Sequence, residues 1–154
     1  MSAKLATEIR QNKPFRTPGE EALLNLIRTH EFLMQRQAEF FKPFQLTPTQ
    51  YNILRILRGA GPDGLTCSEA ADRMVAADPD ITRLLDRLEA RELIHRERSS
   101  KDRRVVLSRI TPQGLELLSA IDAPLGDLIE RLVGRVGKAK LEQFVDVLES
   151  IREA

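Results

Sequence analysis

Apolar residues recur at three- and four-residue intervals along most of this chain, and the period switches to alternation only in a short stretch before residue 111. From about Glu20 to Phe41 the stripe Leu23, Leu26, Ile27, Leu33, Met34, Phe40 and Phe41 predicts a long amphipathic helix, with His30 and Gln37 as polar breaks in its apolar side. Before it, residues 1 to about 18 are polar and hold Pro14 and Pro18, which reads as an irregular arm. Thr47-Pro48-Thr49-Gln50 opens a helix to about Arg58, closed by Gly59, Gly61 and Pro62. Thr66-Cys67-Ser68-Glu69 is a second capping box, opening a short helix to about Ala76. A third start follows at once, with Asp78 as cap and Pro79 at the first helical position, and Ile81, Leu84, Leu85 and Leu88 on the buried side.

Arg96 to Arg98 and Val105 to Ile110 then read as two strands around a charged loop, Ser99 to Arg104. Thr111-Pro112 caps a long helix through Leu115, Leu118, Ile121, Leu125, Leu128, Ile129 and Leu132, with Pro124 a candidate kink. A last helix, about Lys138 to Arg152, is expected to bury Leu141, Phe144, Val145, Leu148 and Ile151. The pattern is mainly α with a small β-hairpin: two short helices joined by a tight turn, then a wing, flanked by long helices.

Composition narrows the class. The 154 residues are 42% hydrophobic and 31% charged, with six Phe, one Tyr and no Trp, so the core has to be aliphatic. Cys67 is the sole cysteine, and with two histidines it leaves no set able to fill a metal shell, so no disulfide, metal or cofactor is expected. No apolar run approaches a signal or membrane-spanning length, which points to a cytoplasmic protein without a membrane partner. Net charge is only +1, yet Arg91 to Arg109 holds seven Lys/Arg against three acids, a local +4 on a mildly acidic remainder. That asymmetry is the one expected of a nucleic-acid footprint.

The helix after the turn is the element to test against DNA, because a major groove about 12 Å wide admits one α-helix. With Ile81, Leu85 and Leu88 inward, the outward face centres on Pro79, Arg83, Asp86 and Ala90, flanked by Thr82 and Arg87. Arg83 there suits a bidentate contact to guanine, and Thr82 a base methyl or a hydrogen bond. The competing reading is of solvated charges paired with Asp80 and Asp86. Lys101, Arg103 and Arg104 at the hairpin tip suit the adjacent minor groove, with Asp102 orienting Arg104. Thr66, Ser68 and Arg98 complete the candidate DNA-binding set.

The residues Gly64-Leu65-Thr66, Ser68-Glu69-Ala70-Ala71, Ile81 through Glu89, Leu93-Ile94, Asp102-Arg103-Arg104 and Thr111-Pro112-Gln113-Gly114 resemble the MarR family of bacterial regulators, in order and spacing, over about residues 45 to 115. The resemblance implies one MarR-type domain over 1–154: dimerisation helices at 20–44 and 112–154, and a winged helix-turn-helix at 45–111. It implies a homodimer whose two winged helices read a pseudo-palindromic double-stranded operator, usually as a repressor, with Arg104 as the wing arginine and Asp102 as its partner. It also implies regulation by a small aromatic or phenolic effector between the dimerisation helices and the winged helix, or by cysteine oxidation. His30 and Gln37 are the ligand candidates, against the reading that they satisfy a core or dimer seam, and Cys67 is the redox candidate. The family usually has Gly where Glu92 stands and Leu where Ala70 stands, so the exit from the recognition helix and the local packing are expected to differ.

Two other classes compete. A winged-helix module for dimerisation or protein contacts, without specific DNA binding, would tolerate loss of the wing charges. An enzyme would need a phosphate loop, a metal-ligand spacing or a nucleophile with a base, and neither His30 nor His95 has an evident catalytic partner.

Overall fold

The structure, a computed structural model, describes residues 4–153. Its elements run α1 (Lys4–Glu8), α2 (Pro18–Phe41), α3 (Pro48–Ala60), α4 (Cys67–Asp72), α5 (Ile81–Ala90), β1 (Ile94–Arg98), β2 (Val106–Ile110), α6 (Pro112–Leu132) and α7 (Lys138–Arg152), with short 3-10 turns between some of them. They fall into two compact units, Met1–Pro48 and Thr49–Ala154.

In the first unit, α1 forms within the segment expected to be irregular. Leu5 is buried, and Glu8 lies 3.9 Å from both Lys4 and Arg28. Thr17 caps α2 by accepting the Glu20 amide, and a run of edge-to-face and tilted rings, Phe40 on Phe41 and on Phe44, closes its end. Only Phe41 of α2 is buried. The expected apolar stripe is present but stays on the surface of the single chain, Leu23 at 57% and Ile27 at 51% exposure.

The second unit holds the aliphatic core: Ile53, Leu54 and Leu57 of α3, Leu84, Leu85 and Leu88 of α5, Leu93 and Ile94 at the start of β1, and Leu118 and Ile121 of α6. Arg58 of α3 grips Asp122 of α6 through both guanidinium amines, at 2.8 to 3.1 Å. The strands pair antiparallel in the register Ile94 to Ile110 and Arg98 to Val106. Leu65 adds a short third rung, exchanging backbone hydrogen bonds with buried Ser108.

Several boundaries differ from expectation. α4 stops at Asp72, not near Ala76, and β1 begins two residues early because Ile94 belongs to the core. α5 starts at Ile81, so Pro79 precedes the helix instead of opening it. Two aspartates compete there: Asp78 accepts the Asp80 amide at 2.8 Å in a local turn, and Asp80 then caps α5 by accepting the Arg83 amide. α6 continues through Pro124, whose missing N–H leaves the Ala120 carbonyl without its helical donor.

Thr111 binds the exit of α5 to the entry of α6. Its hydroxyl donates to the Glu92 carbonyl at 2.6 Å and accepts the Gly114 amide at 3.1 Å, while its amide donates to the Leu93 carbonyl. Gly114 is required there, since a Cβ would collide with the Leu93 carbonyl and lie 2.7 Å from Ile110 Cγ1. Glu92 takes a left-handed φ of +57°, the conformation a glycine would adopt without strain. Gly114→Ala is therefore expected to lower the urea midpoint by the equivalent of about 1–3 kcal/mol, and Glu92→Gly to raise it by up to about 1 kcal/mol; the opposite sign in either variant contradicts this account of the joint.

Candidate nucleic-acid interface

A helix meant to read bases needs a firm inner face and an unobstructed outer one. Leu84, Leu85 and Leu88 supply the first, and Thr82, Arg83, Asp86, Arg87 and Ala90 are exposed on the second. α4 crosses before it, started by a complete capping box: Thr66 Oγ1 accepts the Glu69 amide, and Glu69 Oε2 accepts the Thr66 amide at 2.8 Å. The Thr66 backbone and hydroxyl hold the Glu69 carboxyl below its ordinary pKa. The Thr66 hydroxyl is thus engaged in the cap, whereas Ser68, in the first turn of α4, is exposed.

Among the basic residues counted in the patch, Arg96, Arg98, Arg104 and Arg109 have partners within the fold. Arg96 of β1 reaches back to α5, where its Nη2 donates to Asp86 Oδ1 at 2.6 Å and to Glu89 Oε2 at 2.7 Å. Its Nε donates to Glu89 at 2.8 Å, and Glu89 Oε1 accepts its backbone amide. Arg109 of β2 donates to Glu97 and to the Pro62 carbonyl, and Glu97 also faces His95 at 3.7 Å. Arg98 Nη1 donates to the Arg103 carbonyl at 2.7 Å, bracing the hairpin loop from within. Arg104 is held by Asp102, which accepts its backbone amide at 3.0 Å and its Nε and Nη2 at 3.2 Å, while 91% of the Arg104 side chain stays exposed. Hydrogen bonds from Arg104 hold the Asp102 carboxyl below its ordinary pKa.

This sorts the expected site. Arg83, Arg87, Lys101, Arg103 and Arg104 lie exposed on α5 or the wing tip, as does Pro79 just before α5. Thr82 is exposed but directs its hydroxyl toward Cys67, with Oγ1 4.0 Å from Sγ. Arg98 serves the loop. His30 and Gln37 lie exposed on α2, two turns apart. Arg96 is the residue the sequence reading passed over. The strand alternation carried the signal: Arg96 is two residues from buried Ile94 and shares its face, so it had to point toward α5.

The Arg96 side chain, donating to Glu89, holds that carboxyl below its ordinary pKa. A carboxylate depressed in the folded state contributes stability above its unfolded pKa of about 4.3 and loses it as pH falls through the lower folded value. Thermal melts should therefore show Glu89→Gln below the wild type at neutral pH, with the gap closing as pH drops beneath about 4. A gap independent of pH would contradict the ionic tie.

Comparison with known proteins agrees with this geometry. The model of the MarR family matches residues 46–106. A crystal structure of a MarR transcription factor from Planctomyces limnophilus is 38% identical, with 88% of this chain and 98% of that one covered and a TM-score of 0.69. The HTH-type transcriptional regulator FarR of Neisseria gonorrhoeae is 29% identical over 143 residues, 90% of this chain and 97% of that protein. The S. aureus MepR–DNA complex matches at 25% identity over 84% of this chain and 95% of that one, with a TM-score of 0.74. These relatives are transcriptional regulators and not enzymes, and with its capped helix-turn-helix, its two-stranded wing and its Thr111-to-Gly114 joint this chain belongs to the MarR family.

Proposed function

We propose that the chain works as a homodimer that binds a pseudo-palindromic duplex, each protomer placing α5 in a major groove and its wing tip in the adjoining minor groove. The observation that carries this reading is the Arg96 clamp. It joins the helix that exposes Arg83 to the strand that leads to Lys101, Arg103 and Arg104, so both sets of cations are presented by one rigid body. The MepR complex with DNA, a relative at 25% identity, supports the same partner.

Surface that one chain leaves uncovered supports the dimer. No residue of α7 is buried; Phe144, Val145, Val147 and Ile151 are exposed, as are Ile129 of α6 and, in the other unit, Leu23, Ile27 and Phe32 of α2. At about 25 cal/mol per Å2 such side chains favour a partner, and a second copy supplies a matching set by symmetry. Two heads about one helical turn apart then read successive half-sites. In this reading the family's usual output, repression relieved by a small aromatic effector that alters head spacing, is the working expectation for the function. His30 and Gln37 would contribute to such a site only within a dimer, being exposed in the single chain.

The test is a mobility shift on the protein's own upstream intergenic DNA. Arg83→Ala and Arg104→Ala are each expected to cost about 1–3 kcal/mol of affinity, with base preference relaxed in the first, while Lys101→Ala weakens all duplexes alike and lowers the salt slope by about 1. Phe144→Glu should shift sedimentation from dimer toward monomer and weaken the shift together. Wing and helix variants that bind as the wild type does would favour a protein-contact module instead.

A further inference from the structure

We infer that Asp80 is a specificity-determining positioning residue: its carboxylate aims the Arg83 guanidinium so that only the terminal amine pair is offered to a base. The inference rests on the reading that Arg83 contacts DNA, and goes beyond it by assigning how the contact is oriented.

Both oxygens of Asp80 are committed to the same residue. Oδ1 accepts the Arg83 backbone amide at 3.3 Å, the capping bond of α5, and Oδ2 lies 3.2 Å from Arg83 Nε. Asp80 is itself set by Asp78, whose Oδ1 accepts the Asp80 amide at 2.8 Å. The chain of contacts runs from a backbone turn, through one carboxylate, to the root of the guanidinium. An arginine has two ways to donate twice to a planar acceptor, through Nε with one terminal amine or through both terminal amines. With Nε 3.2 Å from Asp80 Oδ2, the first would have to displace the ion pair. Nη1 and Nη2 make no hydrogen bond among the described residues, and the side chain is 71% exposed on the outer face of α5.

An exposed ion pair of this kind adds little to folding stability. Its effect lies in orientation: it fixes a long side chain that would otherwise sample many rotamers, and guanine O6 and N7 reward one geometry. Arg104 offers a parallel. Asp102 takes one hydrogen of Nε and one of Nη2, and the remaining hydrogens of Nη1 and Nη2 are left for a partner. A carboxylate beside the groove also repels phosphates, so Asp80 weakens non-cognate binding while it sharpens the cognate contact.

Asp80→Asn separates these effects because asparagine caps a helix as well as aspartate does. Its melting temperature should match the wild type, and affinities are compared for the upstream duplex and for duplexes carrying each alternative base pair at the position whose preference Arg83→Ala relaxes. The expected result is a loss of discrimination at that position of about tenfold, with unchanged or tighter binding to substituted duplexes. In an Arg83→Ala background, adding Asp80→Asn should change discrimination no further. Weaker binding to every duplex by the same factor would mark a structural role and overturn the inference. Tighter cognate binding with discrimination intact would show Asp80 competing with DNA for Arg83, and overturn it too. If Arg83→Ala relaxes no position, the base-reading role of Arg83 falls and this inference falls with it; if Arg83→Ala relaxes one and Asp80→Asn does not, this inference alone fails.

Discussion

One guanidinium joins the two parts of the surface that would meet a nucleic acid. Arg96 leaves β1, crosses to α5 and satisfies Asp86 and Glu89 together, with its own backbone amide closing the ring on Glu89. Helix and hairpin are each too small to hold an orientation alone, and a two-stranded ribbon without further packing is marginal. Tied at Arg96, and tied again where Thr111 links the α5 exit to α6, they form a body whose outer face is defined to the level of single side chains.

The same economy of placement governs charge. A count of basic residues treats them alike, but the fold divides them: Arg96, Arg98 and Arg109 brace the wing from inside, Arg104 and Arg83 are aimed by aspartates, and Lys101 and Arg103 stand exposed at the tip. The acids that seemed to oppose a polyanion do the holding. That explains how a chain of net charge +1 presents a cationic face on α5 and the wing.

Much of this was legible in the residues because local chemistry and tertiary packing agree. The capping box at Thr66, the cap at Thr111, the apolar face of α5, the wing and the Asp102–Arg104 pair all depend on neighbours within a few positions. Misplaced features arose where two local solutions compete: Asp78 and Asp80 both suit a cap, and only the turn between them selects Asp80, leaving Pro79 outside the helix. Arg96 was missed because charge drew attention over alternation. The stripes of α2 and α7 were read correctly as apolar, yet their burial could not follow from one chain, since Phe144, Val145 and Ile151 lie exposed in it. Glu92 shows the reverse, a residue poorly suited to φ of +57° that nonetheless adopts it because Thr111 and Leu93 close the joint around it.

The claim that helix and wing act as one reading body is tested most directly by hydrogen–deuterium exchange of the protein titrated with its upstream duplex. Amides across residues 80–90 and 98–106 should gain protection together, with one midpoint in duplex concentration that moves to higher concentration as salt is added. Protection confined to one of the two segments, or two separate midpoints, would contradict it.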